Sequence, residues 1–232
     1  MKVVVKEEKC GLNNEDIKWY LCDGLLWITK YNEYEDVEKS IGQTIGSFNW
    51  LYKINDTVLF QKKIGKFETA IIDLTSKGSP GNAETLFPIG EKRVMRGNLY
   101  LQDMRNQDYE FSEQAYYNGH VDFLYSIPRN LKSDKTVVLF IVDDFGFIIE
   151  ESELKGWILK NASNHVHIDG MEKKLCLDGA SLLSRYIEEL NLWEENEDTA
   201  RLKKLLDVVK GRGDTVSASI EECIESILSW EH

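Results

Sequence analysis

TVVLFIVDDFGFII, from Thr136 to Ile149, is the stretch on which the reading of the fold turns. Val137 to Val142 is an unbroken apolar run. Such a run suits a central strand covered on both faces, where the usual alternation of polar and apolar residues disappears. Asp144-Phe145-Gly146 supplies turn residues, and Phe147–Ile149 is expected to return as the hairpin partner.

Working outward toward the N-terminus, the pattern stays rich in strands. Val3–Val5 reads as a short apolar strand. Lys18–Cys22 and Leu25–Thr29 flank Asp23-Gly24, a hairpin signal. Phe48–Ile54 and Thr57–Lys62 flank Asn55-Asp56 in the same way. Lys66–Thr75 contains Ala70-Ile71-Ile72, which suits a buried strand, and Lys77–Asn82 is a loop by composition. Asn98–Gln102 alternates, and His120–Ile127 reads as a strand. Three helices are expected among these: Tyr34–Ile45, from the spacing of Val37, Ile41 and Ile45; Asp108–Tyr117; and Glu153–Lys160. His165–Ile168 and Lys174–Leu177 bracket a turn at Asp169-Gly170.

Toward the C-terminus the character changes. Leu182, Leu183, Tyr186, Ile187, Leu190 and Trp193 make one helical stripe. Leu202, Leu205, Leu206 and Val209 make a second, and Ile220, Cys223, Ile224, Ile227 and Leu228 a third. Ser219 and Glu222 stand at capping-box spacing before the third, and Gly211 and Gly213 break the last two apart. The expected fold is therefore α+β: a mixed or mainly antiparallel sheet with hairpins, then a C-terminal segment of two to three helices. One domain is expected over residues 1–232, with a helical subregion at 178–232.

Composition narrows the function classes. The chain has 42% hydrophobic and 11% aromatic residues and only three prolines, Pro80, Pro88 and Pro128. A substantial core is expected, and no Pro-, Ser- or Gly-rich linker divides it. Forty acidic against 28 basic residues give a net charge of −12. That field repels a phosphate backbone, so direct nucleic-acid binding is not expected. Cys10, Cys22, Cys176 and Cys223 form no C-x-x-C pair and read as free thiols in a reducing compartment. No secretory signal or membrane span is legible, so a cytoplasmic location is the expectation.

The carboxylates cluster. Glu188, Glu189, Glu194, Glu195, Glu197 and Asp198 lie between Tyr186 and Ala200 with no basic residue among them. From Asp178 to His232 there are thirteen acidic and six basic side chains, a balance of −7. Such a field speeds encounter with a basic surface. Trp193 and Trp230 are candidate apolar anchors for the same partner.

Two other constellations carry chemistry. His165, His167 and Asp169 would share one face of a strand, and imidazole with carboxylate suits a divalent ion. Glu113, Asp122, Asp143 and Asp144 fall in the order of acids in a restriction-enzyme-like nuclease core, where carboxylates hold Mg²⁺. The acidic-x-Lys element of such a core is missing, since Phe145 and Gly146 follow Asp144. Phosphate-binding glycine loops and the G-x-S-x-G elbow are also missing, and no cofactor is expected. Arg212-Gly213-Asp214 reads as a turn between helices. The leading expectation is a non-catalytic acidic interaction module. It would be an inhibitor of the immunity or counter-defence type, or a subunit, acting on a basic nucleic-acid-handling protein. The alternative is a metal-dependent or degenerate nuclease.

Overall fold

The computed structural model describes residues 1–47, 56–76, 78–83, 92–106, 109–111, 113–128 and 130–229. In chain order its elements are β1 (Val3–Lys6), β2 (Ile17–Tyr20), β3 (Leu25–Ile28), α1 (Tyr34–Ser40), β4 (Thr44–Ser47), β5 (Thr57–Gln61) and β6 (Phe67–Asp73). There follow β7 (Gly81–Asn82), β8 (Arg93–Arg96), β9 (Asn98–Leu101), β10 (Tyr116–Asn118), β11 (Phe123–Ser126), β12 (Thr136–Phe140), β13 (Phe145–Glu150) and β14 (Glu153–Lys160). Three helices close the chain: α2 (Gly179–Asn196), α3 (Ala200–Val209) and α4 (Thr215–Ser229). The class is α+β, with mixed sheets built on antiparallel hairpins.

β12 and β13 pair antiparallel, Val138 opposite Ile148 and Phe140 opposite Gly146, as interior strands of a seven-stranded sheet. Its order is β7-β10-β11-β14-β13-β12-β8, with β7 and β8 running parallel to their neighbours. The unbroken apolar run is explained by burial on both faces. Leu139, Phe147, Ile149, Trp157 and Leu159 join the main core, while Val138, Phe140, Ile148 and Ile158 form a second cluster on the other side. A five-stranded sheet, β2-β3-β6-β5-β4, meets the first face, where Phe67 of β6 packs edge-on against Phe147 of β13, 5.2 Å between ring centres. Val37 of α1 covers the outer side of that sheet with Trp27, Leu59 and Ile71.

The helices extend the main core. Leu182, Leu183, Tyr186, Ile187, Leu202, Leu205, Val209, Ile220 and Ile224 are all buried in it. Docking α2 on the β7–β10 edge is specified by polar bonds: Asn191 donates to the Pro80 carbonyl at 3.1 Å and Asn82 to the Ser184 carbonyl at 3.1 Å.

Several local expectations are corrected. Glu153–Lys160 is strand β14, not a helix, because Leu154, Trp157, Ile158 and Leu159 are buried on both faces and leave no period to read. A Cβ on Gly156 would stand 2.2 Å from the Ser126 carbonyl oxygen, so only glycine lets β14 approach β11. The Tyr34–Ile45 helix stops at Ser40, passes through a 3₁₀ turn at Ile41–Gln43, and gives Ile45 to β4. Gly46 there has φ +140°, which demands glycine. The Asp108–Tyr117 helix does not form in its described part. The Phe111 amide goes to Asp56, and the Ala115 carbonyl to Gly81, so these groups bond to other segments instead of to one another. Tyr116–Asn118 is β10, and His120 and Asp122 sit in its turn to β11, outside the strand expected at His120–Ile127.

His165–Ile168 and Lys174–Leu177 are not strands. A 3₁₀ turn occupies Ala162–His165, and Val166 makes one isolated bridge to Trp19. The hairpin turn after β12 falls before Phe145, which already belongs to β13. Gly81–Asn82, read as loop, is β7. α4 opens at Thr215, four residues before the expected Ser219, with Asp214 accepting from the Ser217 amide and hydroxyl at 2.9 and 2.8 Å. Ser219 is buried inside that helix. Phe48–Ile54 lies outside the described residues, although β4 and β5 do pair antiparallel.

One correction concerns covalent structure. Cys22 and Cys223, separated by 201 positions, form a disulfide with Cα atoms 5.0 Å apart. The free-thiol reading holds for Cys10 and Cys176 alone. Two of the four cysteines expected as thiols of a reducing compartment are thus paired, and structural disulfides persist where conditions are oxidising. No helix of the described residues is long and apolar enough to cross a membrane.

Candidate functional site

The site is built on the elbow between α2 and α3. Burying Leu182, Leu183, Tyr186 and Ile187 turns the opposite face of α2 outward, so Glu188, Glu194 and Glu195 are exposed. Glu197 ends the helix in the left-handed region, φ +56°, and its amide reaches back to the Trp193 carbonyl at 2.7 Å. Asp198 accepts from the Ala200 amide at 2.9 Å, satisfying one open amide at the start of α3.

The six carboxylates do not behave alike. Glu189 is 6% exposed, and the Arg201 guanidinium lies against both its oxygens, with Arg185 at 4.0 Å. Arg201 also stands 3.6 Å from Glu188. These two acids, read as part of an open patch, are therefore answered by the chain's own arginines. The linear sequence hides this because Arg201 comes back to them only after the elbow. Glu194 accepts a hydrogen bond from Ser79 Oγ and remains exposed. Among the described residues nothing bonds to the side-chain carboxylates of Glu195 and Glu197, and with Asp198 they form the open part of the patch.

Beside the elbow lies a groove of about 280 Å³ between the β2–β3 turn, α2 and α4. Its walls are Leu21, Leu190, Trp193, Ile227 and the Cys22–Cys223 disulfide, and Ser79 stands at one side. Trp193 is half-buried and presents itself to this space. Trp230 lies outside the described residues.

The other candidates gather elsewhere. Asp122 and Asp144 stand at one end of the seven-stranded sheet, on either side of Lys160. Lys160 pairs with Phe123, and its amide donates to the Asp144 carbonyl at 2.8 Å. Asp122 accepts from Tyr117 Oη at 2.8 Å and from the Ser163 amide and hydroxyl at 2.9 and 2.6 Å. Asp144 accepts from Asn14 and Asn161, both at 2.9 Å, and lies 3.1 Å from His165 Nε2. His165 is 3% exposed; burial holds its pKa below the ordinary value against the opposing pull of Asp144. Asp143 pairs outward with Arg96. Glu113 lies apart, lining a cavity of 10 Å³ with Asp56 and Asp73.

His165, His167 and Asp169 do not share a face. His167 Nε2 stands 3.3 Å from Asp169, and Tyr20 Oη donates to the same carboxylate at 3.2 Å, while His165 turns to Asp144. The 3₁₀ turn at Ala162–His165 holds His165, while His167 and Asp169 follow it outside any strand, so no two-residue period aligns the three. Among the described residues no group of three or more His, Cys, Asp or Glu could hold a metal ion.

Reading by spacing missed Asn14, Asn161, Asp56 and the disulfide. Asn14 lies 130 positions from Asp144, and nothing local signals the meeting. A groove with Lys30, Lys39, Lys62 and Lys63 around α1 and β5 was also missed, and the clustering of Lys62 and Lys63 was its one available signal. No protein-family model matches this chain, and no curated protein matches it in sequence.

Proposed function

We propose that this chain is a non-catalytic interaction module that binds a protein with a basic surface. It acts as an inhibitor of the immunity or counter-defence type, or as a subunit of an assembly containing a nucleic-acid-handling protein. The observation that carries this reading is the set of exposed carboxylates, Glu194, Glu195, Glu197 and Asp198, at the end of a well-packed helix beside an apolar groove. Charge held on a rigid element steers encounter, and adjacent apolar surface slows dissociation. Glu188 and Glu189 contribute less, because Arg201 cancels much of their field. Replacing Glu194, Glu195 and Glu197 by lysine should lower the association rate with a basic protein pulled down on the full chain from its native host by about ten-fold or more at low salt, and less at high salt. An association rate unchanged at every salt concentration removes this mechanism.

A second reading keeps the metal-dependent or degenerate nuclease, favoured by Asp122 and Asp144 flanking Lys160 at one sheet end. Divalent-metal titration on DNA and RNA tests it. Cleavage that needs the metal and is lost in Asp122→Asn would support it.

A further inference from the structure

We infer that the groove at Trp193 is an anchor site, which takes one aromatic or long aliphatic side chain carried on a lysine- or arginine-rich segment of the partner. This deepens the function proposed above and rests on it. At about 280 Å³ the groove is at the small end for a cofactor or drug-sized molecule and suits a single large side chain. Its walls, Leu21, Leu190, Trp193 and Ile227, are half-buried, so they keep apolar surface to offer. Among the described residues no charged one lines it.

The charge around it identifies the occupant. Glu194 accepts a hydrogen bond from Ser79 of the lining and is exposed, so a carboxylate stands at the edge of the groove, and Asp23 is exposed in the β2–β3 turn next to Cys22. An apolar hole with Glu194 at its edge, on a chain of net charge −12, disfavours an acidic segment and favours a basic one. The groove is also held in shape before binding. The disulfide ties the β2–β3 turn to α4, and the Ser79 hydroxyl ties its own loop to Glu194 on α2. Preorganised walls reduce the entropy lost on docking. A central aromatic ringed by such contacts is the usual form of an interface hot spot.

The test follows the tryptophan indole N–H signals of the full chain by NMR, that of Trp193 identified by Trp193→Phe. The probe is a short lysine peptide with one central leucine. The controls are the same peptide with alanine at the centre and a glutamate peptide with leucine at the centre. The lysine–leucine peptide should shift the Trp193 signal saturably, and the alanine peptide should bind about ten-fold more weakly, the difference expected for losing a buried aliphatic side chain. The glutamate peptide should leave the signal unmoved. Ser226 of α4 also lines the groove and is exposed, so Ser226→Trp should fill it from the edge and abolish the shift while the thermal melt stays unchanged. Equal binding of the leucine and alanine peptides overturns the anchor site and leaves electrostatic recruitment standing. Failure of both lysine peptides, together with an association rate insensitive to Glu195→Lys and Glu197→Lys, sinks the function as well. A Trp193 shift that depends on protein concentration without peptide assigns the groove to a second copy of the chain and overturns the inference.

Discussion

At the end of the seven-stranded sheet and at the α2–α3 elbow the protein concentrates carboxylates, and it treats them in opposite ways. Asp122 and Asp144 are each met by several partners, one of them local and the rest from other segments: Tyr117, five positions away, and Ser163 for Asp122; Asn14, Asn161 and His165 for Asp144. Their lone pairs are committed to holding segments together. At the elbow Glu189 is buried against Arg201, but Glu195 and Glu197 are left to solvent. The same functional group is a structural fastener where neutral donors surround it and a source of external field where none do. Sequence spacing ranks the two clusters alike; only their partners separate them.

The comparison can be broken in four ways. The elbow side has one strong constraint, the disulfide, and its removal should have the largest effect. Cys223→Ser, or reduction of the native chain, should lower stability to urea by about 2–5 kcal/mol, because a very long loop is released in the unfolded state. An unchanged midpoint after complete reduction would show that the Cys22–Cys223 bond constrains little.

Next comes Asp122→Ala, which strands Tyr117 Oη and the Ser163 groups and places alanine where φ is +54°. A loss of about 3 kcal/mol is expected by equilibrium denaturation, from charged hydrogen bonds and backbone strain together. A smaller cost in Asp122→Asn, which tolerates that backbone and keeps an acceptor, would confirm the fastening role.

A third test uses pH. Burial depresses the pKa of His165 in the folded chain below its unfolded value, and that of His167 in the same direction. The unfolded chain then binds more protons as pH falls. The stabilisation from neutral histidine is complete above about pH 6.5 and declines as pH drops below it. His165→Gln should flatten the dependence between about pH 6.5 and 5, above the range where carboxylates titrate. A profile as steep as that of the native chain would assign the effect elsewhere.

The smallest effect on stability belongs to the open acids. Glu195→Lys and Glu197→Lys should each move stability by no more than about 0.5 kcal/mol, since neither side chain bonds to a described residue. A thermal melt shifted by several degrees would mean that these carboxylates, too, are fasteners.

Legibility followed locality. The stripes of α2, α3 and α4 were readable because a helix writes its buried face every three or four residues of its own sequence. The β12–β13 hairpin was readable because the apolar run left only a buried strand of that length. β14 was not, since a strand buried on both faces and interrupted by Gly156 shows no period. Asp108–Tyr117 misled because its backbone bonds leave the segment for Asp56 and Gly81. Of the site, the elbow carboxylates and Trp193 were visible as a run. The groove was not, because its walls come from the β2–β3 turn and two separate helices.

The amino-acid order alone settled the class of the fold, the helical C-terminal segment and the net negative charge, because short-range periodicity and composition need no partner to be read. Tertiary structure decided which acids are neutralised, that Cys22 meets Cys223, that His165 faces Asp144, and that an apolar groove opens beside Trp193. Each of these depends on residues brought together from distant positions, and the free energy of such a meeting is written in no one segment.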